Sequence, residues 1–184
     1  HSRMDEQEAF LKDFVHIVSE NNVDLIIIAG DIYDSPNPPA RAEKMFYDTL
    51  KKLSSNGERV TLVIAGNHDN PDRLVAAGPL ARDHGIIMVG TPKFVVPVGN
   101  YGRHTVVNSG EGFIEINING EKAVILTVPF PSEKRLNEVL YGDMDEEEER
   151  AKSYSDRIKA LFSKLSENYR EDTINIVVSH LFTM

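Results

Sequence analysis

The first half of the chain alternates segments of helical periodicity with short apolar runs. Apolar side chains recur every three or four residues in the helical segments, and each apolar run has the length of one buried strand. The pattern predicts helices at 4–21, 40–53 and 71–84 and strands at 24–29, 59–65 and 86–89. This alternation predicts parallel strands joined by right-handed crossovers, which is an α/β arrangement.

The second half has a different pattern. Short segments rich in β-branched residues are separated by Gly, Asn and Pro, which is typical of hairpins in an antiparallel or mixed sheet. The predicted strand segments are 93–99, 103–110, 112–120 and 122–128. Two further helices are predicted near 132–141 and 145–169, and a last strand at 173–180 ends the pattern.

Polar side chains follow three of the predicted strands at the point where each strand ends. Asp31 lies in the string GDIYDS, Asn67 and His68 lie in GNHDN, and His180 ends the run VVSH. Taken alone, such an aspartate is usually a loop or capping residue, and a lone histidine is usually structural. The repeated placement at strand ends is what favours a site, because ligands of open α/β sheets bind beyond the carboxyl ends of the strands.

We expect the three strands that carry these residues, at 24–29, 59–65 and 173–179, to be neighbours in one sheet. A carboxylate, an amide oxygen and an imidazole would then meet at one edge. Such a mixed oxygen and nitrogen set suits Mn, Fe or Zn better than Ca or Mg, and it lacks the sulfur that soft metals prefer.

Composition narrows the class of protein. The 184 residues have the length of one domain, and the hydrophobic fraction of 41% is ordinary for a globular protein. No apolar run reaches the roughly 18 residues of a membrane span, and no signal-peptide pattern is present, so we expect a cytoplasmic protein without a membrane partner. The absence of cysteine excludes thiolate chemistry. A net charge of -9 disfavours a broad basic face for nucleic acid but leaves room for a local phosphate site.

The strings GDIYDS, GNHDN and VVSH resemble motifs of the calcineurin-like metallophosphoesterases. The family pattern is D-x-H, G-D-x-x-D, G-N-H-D/E, a lone His and G-H-x-H. The resemblance implies a β-sandwich flanked by helices in α/β/β/α layers. The wider strings DLIIIAGDIYDSPNPPARAE, VIAGNHDNPDRL and TVPFPSEKRLNEVLYG are similar to the SbcD-type nuclease subunits within this family.

The resemblance also implies roles for matching residues. Asp31 would bridge two Mn²⁺ ions, Asn67 would be a neutral oxygen ligand, and His180 would be an imidazole ligand of the second ion. His68 matches the family's catalytic histidine, which contacts the phosphate and protonates the leaving alkoxide. Two neighbouring divalent cations activate water and neutralise phosphate oxygens, and an imidazolium supplies the proton.

Asp34 and Asp69 are expected to support these groups by orienting the loop and the imidazole of the catalytic histidine. The alternative for each is a turn or capping aspartate with no functional role, and the sequence leaves both interpretations open.

Two motifs of the family pattern are absent from the sequence. No D-x-H precedes residue 24, and no G-H-x-H follows His180. We therefore expect residues 1–184 to form one phosphoesterase domain that is truncated at both ends, with an incomplete sandwich and without the family's cap domain. The first metal would keep only Asp31 and the second would keep three protein ligands, so we expect weak metal binding and impaired catalysis.

The resemblance implies a metal-dependent DNA exonuclease and endonuclease subunit of an SbcCD-type repair complex. Its partners would be DNA and an SbcC-type ATPase, with a homodimer inside a heterotetramer. Two alternatives remain open at this point. One is another phosphoesterase of this family that acts on a nucleotide or a phosphoprotein, and the other is a non-catalytic scaffold with a decayed metal site.

Overall fold

The structure, a computed structural model, describes residues 3–132 and 154–181. Its helices are α1 (Arg3–Glu20), α2 (Ala40–Ser54), α3 (Pro71–Val75), α4 (Gly78–Ala81) and α5 (Tyr154–Ser166). Its strands are β1 (Leu25–Ala29), β2 (Val60–Ile64), β3 (Ile86–Val89), β4 (Gly99–Tyr101), β5 (His104–Gly110), β6 (Phe113–Ile118), β7 (Glu121–Val128) and β8 (Ile174–Ser179). Short 3₁₀ turns lie at Ser55–Gly57 and Arg82–His84.

The strands form two sheets. The first sheet is parallel and has the order β1-β2-β3, which confirms the prediction for the first half of the chain. The second sheet has the order β4-β5-β6-β7-β8, with antiparallel neighbours from β4 to β7 and a parallel pair β7 and β8. The prediction of a mixed sheet in the second half is therefore also confirmed.

The expectation that β1, β2 and β8 share one sheet is wrong. β8 pairs with β7, where Val128 lies opposite Ser179, and it belongs to the second sheet. The two sheets come together at β1 and β8, so the residue that follows β8 still reaches the first sheet. Apolar runs identify strands, but the choice of neighbour depends on contacts between distant parts of the chain.

The main core lies between the two sheets, and each inner strand contributes alternate side chains to it. In β2, Leu62 and Ile64 face the second sheet, while Val63 faces α2 and α3. In β7, Ile125 faces the first sheet and Leu126 packs against α5. This period of two places helices on both outer faces. The four layers confirm the predicted α/β/β/α sandwich.

Three sequence predictions need correction or restriction. The predicted helix at 71–84 is divided into α3, α4 and a 3₁₀ turn, because Pro79 has no N–H for a continuous helix. The segment 93–99 contributes only Gly99 to a strand, since Pro97 cannot donate to a sheet ladder. The predicted helix at 132–141 falls almost wholly outside the described residues.

The helix predictions at the two ends of the chain agree better with the observed helices. The predicted helix at 145–169 is described from Tyr154 and ends at Ser166. In α1 the predicted apolar stripe is only partly used, because Val18 is buried whereas Phe10 is 67% exposed. Within the described ranges, no helix combines the length and the apolar character that crossing a bilayer requires.

Candidate metal centre

The site forms where the parallel strands β1 and β2 end side by side, with Ala29 opposite Ile64. Directly after β1, Gly30 and Asp31 both have positive φ, of 92° and 50°. This left-handed pair turns the chain sharply and brings the Asp31 carboxylate toward the loop that follows β2. There Asp31 Oδ1 accepts a hydrogen bond from the backbone N–H of His68 at 3.2 Å.

The two loops approach so closely that glycine is required at both contact points. A Cβ on Gly66 would lie 2.2 Å from Asp31 Oδ1, and a Cβ on Gly30 would lie 2.3 Å from His180 Nδ1. Real Cβ atoms do not approach other atoms to such distances. The glycines of the GD and GN pairs therefore allow the polar groups of the site to meet. Both glycines are visible in the strings GDIYDS and GNHDN, but the sequence gives no sign of this role.

The carboxylate of Asp69 links the two loops by accepting hydrogen bonds from backbone N–H groups of both. Its side chain is buried, Oδ2 accepts from Gly66 at 2.7 Å and from Ile32 at 3.2 Å, and Oδ1 accepts from Tyr33 at 3.1 Å. Hydrogen bonds to a carboxylate are stronger than those to neutral acceptors. The contacts of Asp69 thus orient the loops. Among the described hydrogen bonds, none joins Asp69 to the His68 imidazole, so its predicted effect on that ring is not supported by a direct contact.

His180 reaches this edge from the second sheet. Its backbone N–H donates to Val128, and its ring packs edge-on against Phe130, with ring centroids 6.3 Å apart. Nδ1 lies 2.8 Å from the carbonyl oxygen of Ala29. A carbonyl only accepts, so Nδ1 carries the proton, and in the neutral ring the lone pair is on Nε2.

The Nε2 atom of His180 faces two oxygen atoms. It lies 3.0 Å from Asn67 Oδ1 and 3.5 Å from Asp31 Oδ1. Ligand atoms about 2.1 Å from a cation in tetrahedral or octahedral geometry are separated by roughly 3.0–3.5 Å. The Nε2 lone pair at these distances from the two oxygen atoms is repelled by both unless a cation or a proton lies between them. The predicted donors therefore come together and fit one divalent cation.

The same cluster is poor in anionic ligands. Among residues 3–132 and 154–181, no group of three or more His, Cys, Asp and Glu side chains is arranged to hold a metal ion. Asp31, Asn67 and His180, hereafter the trio, include one carboxylate, that of Asp31. Its side chain is 43% exposed, compared with 21% for His180. The described donors could hold one cation, at a position open to solvent.

His68 lies beside the trio with an exposed side chain. Its Nδ1 is 3.2 Å from the backbone carbonyl of Asp34, so this nitrogen is the donor and Nε2 remains available. The contact of Asp34 with the imidazole is made by its main-chain carbonyl. An imidazole held in this way at the rim has the geometry of a general acid or base.

The chain is similar to known proteins of one family. Residues 1–182 match the family model of the calcineurin-like phosphoesterases. The SbcD subunit of the SbcCD nuclease of Bacillus subtilis is 39% identical over 181 residues, which cover 98% of this chain and 42% of that relative. The protein of the same name from Rhodobacter capsulatus is 35% identical over 91 residues, covering 49% of this chain and 22% of the relative.

The matched part is less than half of the length of either relative. The family match itself extends over nearly the whole chain and includes all strands that position the site. The resemblance noted in the sequence is thereby confirmed, and with it the general expectation that the family uses divalent metal ions. The chain belongs to the calcineurin-like phosphoesterase family.

Proposed function

We propose that this chain forms the phosphodiesterase centre of a metal-dependent DNA nuclease subunit of the SbcD type. The observation that carries the proposal is the meeting of Asp31, Asn67 and His180 from two different sheets, with His68 beside them. A purely structural role would not require these lone-pair atoms to face one another at a solvent-accessible edge.

In this proposal Asp31, Asn67 and His180 hold a divalent cation, and Mn²⁺ suits their oxygen and nitrogen donors. A bound divalent cation supplies charge that neutralises phosphate oxygens and lowers the pKa of water. The protein's own step is carried by His68. The Asp34 carbonyl holds its Nδ1–H, so in the protonated ring the Nε2–H is the proton that passes to the leaving oxygen of the phosphodiester, and the ring is left neutral with its proton on Nδ1.

The partners are part of the same proposal. Both relatives are named as the SbcD component of the SbcCD nuclease, which supports an SbcC-type ATPase as partner of the whole protein. DNA as substrate, a homodimer within a heterotetramer and a cytoplasmic location belong to the proposal as well. With a net charge of -9, we expect DNA to be bound through the metal site rather than through general attraction to the surface.

The proposal is tested with a substrate panel and Mn²⁺, using this chain and a longer version that contains both missing motifs. The panel holds linear duplex DNA, a small chromogenic phosphodiester, a nucleotide monophosphate and a phosphopeptide. We expect the longer version to cleave DNA and the small diester, and this chain to be much less active. Preference for the nucleotide or phosphopeptide would support the other phosphoesterases, and absence of metal binding in both versions would support a scaffold.

A further inference from the structure

Tyr33 lies between two residues of the site, Asp31 and Asp34, but its ring points away from the metal centre. The ring packs into the core cluster between the first sheet and helices α2 and α3. It meets Phe46 of α2 edge-on, with ring centroids 5.6 Å apart and planes at 71°. Such an aromatic contact contributes about 0.5–1.5 kcal/mol beyond burial alone. Tyr33 thus anchors the loop after β1 in the core.

The main chain of Tyr33 is held from the opposite side. Its N–H donates to Asp69 Oδ1 at 3.1 Å, and the N–H of Ile32 donates to Asp69 Oδ2 at 3.2 Å. Asp69 belongs to the loop after β2, whereas Phe46 belongs to α2. One residue therefore joins the first loop both to the second loop and to the helix behind it.

The surroundings of the phenol show that the ring of Tyr33, and not its hydroxyl, connects the loop after β1 to helix α2. The Tyr33 hydroxyl is buried and has no hydrogen-bond partner among the described residues. Burial raises the pKa of the phenol far above its usual value, and nearby Tyr47 and Glu43 act in the same direction. Behind the phenol, Arg73 of α3 donates to Glu43 of α2 at 2.7 Å and links the two helices.

The loop held by Tyr33 makes two contacts with His68. Asp31 Oδ1 accepts the backbone N–H of His68 at 3.2 Å, and the Asp34 carbonyl accepts its Nδ1–H at 3.2 Å. A shift of the loop by about one ångström would break both bonds, because each is already near the long end of the normal range. The geometry at His68 depends on where the loop between Asp31 and Asp34 is fixed.

We propose that Tyr33 is a positioning residue, whose ring fixes the loop from Asp31 to Asp34 and thereby orients His68 and the carboxylate of the metal trio. Its relevance to catalysis rests on the proposed function, but the contacts themselves are testable without substrate. We expect Phe to replace Tyr33 without loss of loop protection or Mn²⁺ affinity, because the hydroxyl has no hydrogen-bond partner among the described residues.

The test compares the wild-type chain with Tyr33→Phe, Tyr33→Ala and the control Tyr47→Ala. Tyr47 packs against the same core cluster from α2 but carries no loop of the site. Amide hydrogen exchange without metal is measured at Ile32 and His68, with Leu62 in the buried strand β2 as internal reference, and Mn²⁺ affinity is measured by calorimetry. Chemical denaturation gives the free energy of unfolding of each variant.

In Tyr33→Ala we expect the amides of Ile32 and His68 to exchange at least about tenfold faster relative to Leu62, since a locally opened loop exchanges before the core. Mn²⁺ affinity should fall about 10- to 100-fold, as is typical when groups that orient ligands are lost. Tyr33→Phe should match wild type in both measurements. Tyr47→Ala should lower stability without a selective change in the loop amides.

Several outcomes would overturn the proposal. The positioning role is excluded if the loop amides exchange at the wild-type rate in Tyr33→Ala. It is also excluded if Tyr33→Phe and Tyr33→Ala lose amide protection and Mn²⁺ affinity equally, or if Tyr47→Ala shows the same exchange pattern as Tyr33→Ala. If Tyr33→Ala does not fold, Tyr33→Leu is judged by the same criteria, because it keeps apolar volume but lacks the edge-on ring contact. If wild type binds no Mn²⁺, the proposed metal site fails, and the exchange data still decide the role of Tyr33.

Discussion

At the scale of single residues, the site depends on which atom of each side chain is free. The proton on His180 Nδ1 is held by the Ala29 carbonyl, and this directs the Nε2 lone pair toward Asn67 and Asp31. The proton on His68 Nδ1 is held by the Asp34 carbonyl in the same manner. Two backbone carbonyls thus select the Nδ1–H tautomer in both neutral rings. The Nε2 atom of His180 then faces Asn67 and Asp31, whereas His68 is an exposed residue whose Nε2 is not used by the trio.

Substitution of the two central residues should separate catalysis from metal binding. In a longer version of the protein that contains both missing motifs, we expect His68→Ala to lower DNA cleavage about 10²- to 10⁴-fold with Mn²⁺ affinity retained, because a general acid is not a ligand. Asp31→Asn should lose metal and activity together. Calorimetry and a nuclease assay measure both quantities, and equal loss of metal in the two variants would reverse the assigned roles.

A methyl group on Gly66 should displace the carboxylate of Asp31. The added Cβ would lie 2.2 Å from both the backbone nitrogen and Oδ1 of Asp31, so the loop and the carboxylate must move and Mn²⁺ affinity should fall about 10- to 100-fold. Gly78→Ala is the matched control, since its Cβ meets nothing within 4 Å. Gly66→Ala with wild-type affinity for Mn²⁺ would show that Asp31 does not occupy this position when metal is bound.

At the scale of elements, the site is a meeting of loops from β1 and β2, and Asp69 is the link between them. Its carboxylate accepts three backbone N–H groups, from Gly66, Ile32 and Tyr33. Loops of this kind are usually the least stable parts of a fold. Here a buried carboxylate and the ring of Tyr33 hold them against the core.

Replacing Asp69 by Asn should weaken this link with little change in volume. The amide has one accepting oxygen, so at least one buried N–H loses its partner, at a cost of about 1–3 kcal/mol in the free energy of unfolding. Urea denaturation measures the change. Asp72→Asn, on the exposed first turn of α3, provides the control and should have a much smaller effect. Equal effects of the two substitutions would contradict the structural role of Asp69.

At the scale of the whole molecule, the candidate metal centre lies where the two sheets meet. β1 and β2 provide the loops of the first sheet, while β8 carries His180 from the edge of the second. The trio of donors can therefore form only when the sandwich is folded. The described residues contribute one carboxylate to it, and this limits the charge available to retain cations.

We expect this chain to bind at most one equivalent of Mn²⁺, weakly, and to digest linear duplex DNA far more slowly than the longer version. One cation position with three protein donors does not make the paired arrangement that stabilises both the attacking and the leaving oxygen. Calorimetric titration gives the stoichiometry, and a thermal melt with and without Mn²⁺ gives the linked stabilisation. Tight binding of two equivalents would mean that further ligands come from residues outside the trio.

The sequence by itself determined where the strands and the contiguous polar motifs of this protein lie. Apolar runs located the strands that lead to the site, because residues such as Ile and Val favour strands, although only β2 of the three is buried along its whole length. The strings GDIYDS and GNHDN located Asp31, Asn67 and His68, since both motifs are contiguous in the chain. Glycine before each polar residue was also visible, although the reason for it was not.

Only the tertiary structure decided how these parts meet. The sequence assigned the strand before His180 to the wrong sheet, because strand pairing is a choice among distant partners that have similar apolar character. It missed the anchoring ring of Tyr33, since an aromatic residue between two site aspartates has no periodicity to mark it. The contact of Asp34 with His68 through a backbone carbonyl was equally hidden, because every residue has a carbonyl and only the fold determines where it points.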